Sequence, residues 1–469
     1  MDQILPSGPS AFLLSTYDLG HQPFALASLA TSLEAEGARV ICNDIAVEGL
    51  NEEGVRSASL IAIHLAMHTA TRLALDILPH LQRLNPGARY CLFGLYAPMA
   101  ADIVDQSENF DFIGGEFEPP LIEIWRSLER VSKNGPGIEL TKHRFALPNR
   151  SGLPALSKYA HLEDEDGNQI TAGYTEASRG CKHVCRHCPV VPVYNGRFFI
   201  VPVGIVIADI YQQVDAGAGH ISFGDPDFFN GPRHAEAIMN AFAGEFPGIS
   251  YDVTIKIEHL LKHQDLLPVL KDTGCRFITT AVESVDVGIL GHLAKGHTPE
   301  DFKEAVNLAA THGLNVSPTF IPFTPWTTVA GYRDLLETIS ELDLIDHVAP
   351  VQLSIRLLIP AGSYLLKLTE FKETLGNFDP DALSYPWSYQ NGEVAALAEK
   401  VRDAVEQGEA GNLTRREIFA QLWNLTAEVA DSPMPLPAGI QKASTVRIPQ
   451  MSEPWYCCAE PTSRQLEKI

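Results

Sequence analysis

Three cysteines lie close together in the middle of the chain, and their spacing predicts a metal centre. Cys181, Cys185 and Cys188 form a C-x3-C-x2-C pattern directly after a strand-like run at 174–178. Three thiolates this close can wrap one face of a cubane iron–sulfur cluster, which ordinarily takes four cysteines. One iron would then stay open to a further ligand, as in a reactive metal site.

A structural zinc site is the alternative interpretation of these cysteines. Zinc takes four ligands, and His183 or His187 could supply the fourth. Zinc fingers, however, pair C-x2-4-C units with distant H-x3-5-H units. No such second pair follows in the sequence, so the spacing favours a cluster.

The cysteine motif resembles that of the radical S-adenosylmethionine (SAM) superfamily. In that family, the amino and carboxylate groups of SAM chelate the open iron of a [4Fe–4S] cluster. The resemblance implies SAM as a second cofactor. It also implies an electron donor such as a flavodoxin or a ferredoxin as a partner.

Two later segments are similar to SAM-binding segments of the same family. Gly224, Asp225 and Asp227 follow the second predicted barrel strand, where the family's backbone bonds the SAM amino group. Glu283 and Ser284 follow the fourth strand, near the position of the SAM ribose and carboxylate. The structural alternatives are an ordinary loop with an N-cap Asp, and a helix cap at Ser284.

Two further charged residues are candidates from their places at strand ends. Glu258, at the end of the third barrel strand, could face the barrel mouth or simply be solvated. Arg356, at the end of the sixth, could bind a substrate or SAM carboxylate bidentately. A barrel-closing salt bridge is the equal alternative for Arg356.

The surrounding sequence predicts an α/β protein built from two strand–helix series. Residues 1–125 alternate strand and helix patterns, which predicts a doubly wound, Rossmann-like parallel sheet. A connector at 126–170 follows. Residues 171–360 carry six strands with five helices between them, which suggests a partial (β/α)6, TIM-like barrel. Barrels of this type place chemistry at the carboxyl ends of their strands, where the three cysteines fall.

Residues 361–430 are predicted to be mostly helical, with the clearest helices at 392–405 and 414–430. A Pro-rich linker and an extended tail occupy 431–469, because the prolines after Asp431 cannot continue a helix.

The N-terminal region resembles a cobalamin-binding-type domain in size, position and sheet pattern. Segments at 295–298 and 322–326 also resemble radical SAM proteins that carry such a domain. The Asp-x-His-x-x-Gly motif that supplies a lower-face histidine is missing. Some relatives bind cobalamin without it, so cobalamin binding stays open. His64 and His68 could border a ligand crevice or be locally hydrogen-bonded.

The tail carries a second set of thiols, Cys457 and Cys458. Neighbouring Cα atoms lie about 3.8 Å apart, below the usual disulfide range. A vicinal dithiol suits a soft atom such as arsenic or selenium. The ending resembles CUAEP/CCAEP-tail radical SAM proteins, and a related group holds trivalent arsenic on a C-terminal cysteine pair. A frayed terminus with incidental thiols is the alternative.

Composition limits the classes of function. The formal charge of −23, from 35 basic and 58 acidic residues, argues against nucleic-acid binding. We expect no membrane span, since no run of eighteen apolar residues exists, and no secretory signal. Clustered cysteines in such a chain fit a reducing, cytoplasmic setting.

Three hypotheses follow from these features. The leading one is a radical SAM enzyme, a transferase that moves a SAM-derived carbon group to a soft atom held by Cys457 and Cys458. The second is a cobalamin-dependent radical SAM methyltransferase acting on a small molecule or peptide. The third is a metalloid- or corrinoid-binding sensor with a structural cluster.

Overall fold

The structure, a computed structural model, describes residues 8–104, 109–128, 137–371, 373–430, 435–437, 440 and 447–453. It contains an N-terminal α/β domain, a half-barrel with its helices, and a pair of C-terminal helices. Cys457, Cys458 and most of the predicted tail lie outside the described residues.

The N-terminal domain is built on a six-stranded parallel sheet. Its strands are β1 (Ser10–Ser15), β2 (Arg39–Asp44), β3 (Leu60–His64), β4 (Arg89–Phe93), β5 (Phe110–Gly115) and β6 (Gly137–Glu139). They are ordered β2-β1-β3-β4-β5-β6, and every neighbouring pair is parallel. The strand β6 comes from the segment predicted as connector.

Helices cover both faces of this sheet. They are α1 (Phe24–Glu34), α2 (Glu52–Ser57), α3 (His68–Leu84), α4 (Ala97–Ala100) and α5 (Glu118–Arg126). Side chains alternate along a strand, so Phe12 and Leu14 enter one apolar core while Ala11 and Leu13 enter the other. A parallel sheet buried on both faces is the doubly wound architecture that the sequence predicts.

The second domain is a half-barrel sheet. Its strands are β7 (His161–Glu163), β8 (Gln169–Thr175), β9 (Ser178–Gly180), β10 (Phe198–Ile200), β11 (His220–Phe223), β12 (Ser250–Thr254), β13 (Cys275–Glu283), β14 (Asn315–Phe320) and β15 (Gln450–Met451). The sheet order is β14-β13-β12-β11-β8-β7-β15, while β9 and β10 form a separate antiparallel pair. From β8 to β14 all neighbours are parallel.

Helices pack on the outside of the half-barrel. They are α6 (Val190–Tyr194), α7 (Val203–Asp215), α8 (Pro232–Glu245), α9 (Ile257–Lys262), α10 (Leu267–Asp272), α11 (Val287–Leu293), α12 (Pro299–Thr311) and α13 (Val329–Glu341). The largest apolar core lies between the sheet and the helices α7, α8, α9, α10, α12 and α13. The helices α6 and α11 belong to two smaller apolar clusters. The parallel strand–helix series that the sequence predicts for this domain is thus confirmed from β8 to β14.

The prediction of a sixth barrel strand at 350–358 is wrong, because this segment does not form a continuous strand. Residues Pro350–Leu353 form a 3-10 helix, and one isolated bridge pairs Phe323 with Arg356. The partner segment contains Pro322 and Pro325, which have no N–H to donate. The ladder therefore stops after a single residue pair.

The C-terminal region contains the two predicted helices, α14 (Gly392–Ala410) and α15 (Arg415–Val429). They pack on each other, and Leu397 and Phe419 join the barrel core. The helical prediction is wrong for most of 361–391, where the described residues form only short 3-10 turns, at Tyr364–Lys367 and Thr369–Phe371. Repeated glycines and prolines in this stretch prevent longer helices.

Across the described residues, every helix is too short or too polar to cross a membrane.

Candidate active site

A cavity of about 340 Å³ lies between the two domains. Loops after β1, β3, β4 and β5 border it from the N-terminal sheet, and the carboxyl ends of the barrel strands border it from the other side. Ligands bind at this end of parallel sheets and barrels.

Cys181, Cys185 and Cys188 lie on the loop between β9 and α6, and all three line the cavity. Each is a free thiol. Cys181 and Cys185 are nearly buried, and burial raises the pKa of Cys181 to about 12. The Cys181 thiol would therefore become a thiolate on binding a metal, because the metal itself displaces the proton.

Two residues fix the backbone of this loop. Gly180 has φ +78, and a Cβ there would lie 2.4 Å from Tyr194 Cδ1 and 2.6 Å from Arg197 O. Asn230 Oδ1 accepts a hydrogen bond from Lys182 N at 3.2 Å and lies 3.8 Å from Cys181 Sγ.

Two lysines place positive charge beside the thiols. Lys256 Nζ lies 3.7 Å from Cys185 Sγ and donates to Lys295 O at 3.0 Å. Lys295 Nζ lies 3.1 Å from Glu283 Oε1. Such cations lower the cost of burying thiolates.

Glu283 faces the cavity from the end of β13. His187 Nε2 lies 3.1 Å from the same Oε1 atom that Lys295 contacts. Burial opposes its ionisation, but Lys295 and His187 hold the pKa of Glu283 at about 2. The carboxylate is therefore charged at neutral pH.

Gly224 and Asp225 also line the cavity, after β11. A Cβ on Gly224 would lie 1.8 Å from Tyr174 Oη, so only glycine fits there. Asp225 accepts hydrogen bonds from Ala177 N and Ser178 Oγ. Burial raises the pKa of Asp225 to about 7.

Four other predicted site residues are not among the described residues that line the cavity: Asp227, Glu258, Ser284 and Arg356. Ser284 Oγ accepts from Asp286 N at 3.1 Å, which is a local turn contact. Arg356 stacks 4.1 Å above the Trp387 ring and donates to Trp387 O.

Glu258 was predicted at the end of a strand, and this is wrong. The strand β12 ends at Thr254, and Glu258 lies in the first turn of α9. Its side chain is 42% exposed and lies 3.6 Å from His183 Nδ1. Asp227 is fully buried and contacts His183 and His259.

Arg179 joins the two domains beside the cavity. It is not among the site residues predicted from the sequence. Its guanidinium contacts Glu118 at 2.8 Å and Glu176 at 2.9 Å, and lies 4.8 Å from the Phe117 ring centre. Phe117 and Glu118 follow β5 of the N-terminal sheet, and Ser28, 3.3 Å from the guanidinium, lies on α1 of the same domain. The available signal was an arginine two residues before the first cysteine.

The N-terminal wall carries neutral imidazoles. His64, at the end of β3, lines the cavity, and burial lowers its pKa to about 3. His21 stacks on Tyr174 at 4.7 Å, and burial lowers its pKa to about 4. His68 instead bonds Ala382 O at 2.8 Å, far along the chain, and is not among the described residues that line the cavity.

Comparison with solved structures identifies the architecture. The cobalamin-dependent SAM radical enzyme OxsB, solved with aqua-cobalamin and SAM bound, matches with a TM-score of 0.63 and 14% identity, over 86% of this chain and 67% of that chain. The radical SAM methyltransferase TsrM from Kitasatospora setae, solved with cobalamin and a [4Fe–4S] cluster, matches with a TM-score of 0.58 and 17% identity, over 72% and 74%.

Sequence comparison agrees with the fold. An uncharacterized methyltransferase of Pyrococcus horikoshii is 25% identical over 199 residues, which span 42% of this chain and 41% of that relative. Residues 175–339 match the model of the Radical SAM superfamily, whose members use a [4Fe–4S] cluster and SAM. Residues 175–339 therefore form a domain of the Radical SAM superfamily, and the chain as a whole has the fold of cobalamin-dependent radical SAM enzymes.

Proposed function

We propose that this enzyme holds a [4Fe–4S] cluster on Cys181, Cys185 and Cys188, and transfers a SAM-derived methyl group to a small polar molecule with the help of a corrinoid. One observation carries the proposal: a single cavity is bordered by the three thiols and by the carboxyl ends of both sheets. When bound, the cluster supplies the electron that cleaves SAM, and the corrinoid carries the methyl group.

The protein residues around the thiols suit a cluster. Lys256 and Lys295 would balance the negative charge of three thiolates, of which Cys181 and Cys185 are buried. The two histidines of the loop, His183 and His187, already face carboxylates. This supports a cluster with an iron open to SAM over the zinc alternative.

Two residues are suited to hold SAM. Gly224 lines the cavity at the end of β11 and can offer its backbone carbonyl to the SAM amino group. Glu283 offers a charged carboxylate to ribose hydroxyls. Asp225 holds the end of β8 against β11 and so positions the loop, while the contacts of Ser284 and Arg356 support structural roles.

The N-terminal wall suits a corrinoid. The strands β1 and β3 are neighbours at the point where the strand order reverses, and the crevice there opens into the cavity. His64 presents a neutral imidazole at this crevice.

Arg415 indicates the class of substrate. It lines the barrel side of the cavity, and its hydrogen bonds go to two neutral oxygens, Asp346 O and Gln450 Oε1. Burial lowers the pKa of Arg415 to about 10 although Asp346, Glu163 and Glu409 lie near it, so a further anionic partner would stabilise its charge. We expect a substrate with a carboxylate or phosphate group.

Anaerobic reconstitution tests the proposal. The wild type should bind about four irons per chain and about one corrinoid, and should convert SAM to 5′-deoxyadenosine and S-adenosylhomocysteine. The triple variant Cys181→Ala, Cys185→Ala, Cys188→Ala should lose the bound iron and form neither product from SAM. Cys42→Ala, which removes a half-buried thiol on β2, is the matched control.

The outcomes separate the hypotheses. Equal iron content and SAM turnover in the triple variant would contradict the cluster assignment. If SAM is cleaved in enzyme that binds no corrinoid, the proposed role of a corrinoid as methyl carrier is contradicted. Stoichiometric ligand binding without any cleavage of SAM would favour the sensor.

A second candidate function is carbon transfer to a soft atom on Cys457 and Cys458. The observation that favours it is the position of Glu453, which lines the cavity and accepts a 2.7 Å hydrogen bond from Tyr17 Oη. Cys457 follows four residues later, a reach of at most about 14 Å. Trivalent arsenic affinity should collapse in Cys457→Ser, Cys458→Ser, and unchanged affinity would remove the tail from the chemistry.

A further inference from the structure

Three side chains from three different loops meet beside the cysteine loop. His183 comes from the loop itself, Asp227 follows β11, and His259 lies in α9. His183 Nε2 and His259 Nδ1 lie 3.2 Å and 2.6 Å from the same atom, Asp227 Oδ2. One donor atom from each residue lies within 4.8 Å of the others.

These short contacts are close pairings of ionisable groups that do not meet hydrogen-bond geometry. Asp227 Oδ2, His183 Nε2 and both ring nitrogens of His259 are buried without a hydrogen-bond partner among the described residues. Asp227 and His259 are almost completely buried. Buried carboxylate and imidazole atoms left in this way are costly, so a group bound between them would explain the arrangement.

The surroundings already orient the ligands. Asp227 Oδ1 accepts from Phe229 N at 3.2 Å, which turns Oδ2 toward the two histidines. On the far side of the His183 ring, Glu258 Oε2 lies 3.6 Å from Nδ1. A carboxylate on the second nitrogen is the usual partner of a metal-bound histidine.

The donor set selects the type of ion. Two imidazoles and one carboxylate suit Zn²⁺ or Fe²⁺, at about 2.0–2.2 Å from each donor. Ligands of a tetrahedral ion at that range lie roughly 3.4 Å apart. The two histidine–carboxylate spacings, 3.2 Å and 2.6 Å, lie within an ångström of this value. The two imidazole nitrogens lie within 4.8 Å of each other.

We propose that His183, Asp227 and His259 bind one divalent cation, Zn²⁺ or Fe²⁺, separate from the cysteine-bound cluster. The ion ties the cysteine loop to the loops after β11 and β12. Because the protein supplies three ligands and His183 lines the cavity, a fourth position is open to water or to a cavity ligand.

The experiment reads metal content, so its failure differs from a failure of the SAM chemistry. Cluster-loaded enzyme is stripped of loosely bound metal with a chelator, and Zn²⁺ alone is added back under anaerobic equilibrium dialysis. We expect one Zn²⁺ per chain besides the cluster iron. X-ray absorption at the zinc edge should show nitrogen and oxygen at about 2.0–2.1 Å and no sulfur near 2.3 Å.

Variants assign the ligands. His183→Gln and His259→Gln should each weaken Zn²⁺ binding at least about tenfold, and Glu258→Gln should weaken it by about 10–100-fold through loss of orientation. Glu258 is half-exposed, so its variant should fold even where a buried substitution does not. His234→Gln, a half-buried histidine on α8 that bonds Ala177 O, is the matched control.

Several outcomes would overturn the proposal. One is the absence of any zinc or extra iron in the wild type. Another is a sulfur shell around zinc, which would assign it to the cluster cysteines. Unchanged affinity in the His183→Gln, His259→Gln and Glu258→Gln variants would also exclude these ligands.

Discussion

At the scale of single residues, the placement of Cys181 depends on the glycine before it. Gly180 has a left-handed backbone and no room for a side chain against Tyr194 and the Arg197 carbonyl. Gly180→Ala should therefore distort the loop and reduce reconstituted iron content to roughly half or less, because strain at such sites costs about 1–3 kcal/mol before the clash is counted.

Iron analysis after reconstitution measures this effect. Gly217→Ala is the matched control, since Gly217 also has a positive φ but has open space around its Cα. Equal iron content in the wild type and Gly180→Ala would show that the cysteine loop can accommodate a side chain at position 180.

A second residue-scale prediction concerns pH. Burial raises the pKa of Asp44 to about 6, partly offset by a hydrogen bond from Tyr159 Oη at 3.0 Å. The ordinary value is about 3.9, so the folded state binds the proton more tightly than the unfolded chain. This contribution to stability is present below about pH 4 and is lost as pH rises through about 6.

Asp44→Asn should remove the loss of stability that occurs as pH rises through about 6. Relative to the wild type, the variant should gain up to about 2–3 kcal/mol between pH 4 and pH 7, read from thermal midpoints at matched pH. Tyr159→Phe removes the hydroxyl whose hydrogen bond holds down the pKa of Asp44. The pH at which this variant loses stability should therefore be higher than in the wild type. A pH-independent difference between Asp44→Asn and the wild type would contradict the assignment.

At the scale of elements, the sequence predicts what depends on local pattern. The alternation of apolar residues locates β1, β3, β8 and β11 within a few residues, and the spacing of three cysteines locates their loop. Glu283 and Gly224 are found because they follow strands.

Features that depend on distant partners escape such prediction. The sixth barrel strand fails because prolines in its partner break the ladder. The meeting of His183, Asp227 and His259, and the pairing of Arg179 with Glu118, join segments far apart in sequence. Nothing in local periodicity specifies those pairs.

An element-scale prediction concerns the connector. Arg150 contacts Asp209 on α7 at 2.7 Å, and donates to Gln22 Oε1 at 2.7 Å and Tyr174 O at 2.6 Å. This buried cation fastens the connector to both domains. Arg150→Met should lower the free energy of unfolding by about 3–5 kcal/mol, because it leaves the Asp209 carboxylate buried and unpaired.

Thermal denaturation provides the measurement. Arg126→Met, which removes an exposed ion pair with Glu36, is the control and should leave the midpoint nearly unchanged. If Arg150→Met and Arg126→Met lower the thermal midpoint by the same small amount, Arg150 does not hold the connector to the two domains.

At the scale of the whole molecule, the cavity exists only while the two domains stay together. Arg179 carries much of that contact, since Glu116 and Glu118 belong to the N-terminal domain and Arg179 to the barrel. Arg179→Met should separate one calorimetric unfolding transition into two, with loss of about 3–5 kcal/mol at the interface. Arg179→Met, Glu118→Gln should recover part of this loss, because it removes one of the stranded charges. A single unshifted transition in Arg179→Met would show that other contacts hold the domains.

The short strand β15 has a consequence for the chemistry of the tail. Gln450–Met451 pairs with β7, and Glu453 is anchored to Tyr17, so the chain leaves the sheet at the rim of the cavity. A thiol tethered a few residues beyond such an anchor has an effective concentration in the millimolar range or above. Dissolved thiols at micromolar levels would then compete poorly with Cys457 and Cys458 for any soft atom in the cavity. Selectivity toward the enzyme's own dithiol would thus come from covalent tethering rather than from a stronger sulfur–metalloid bond.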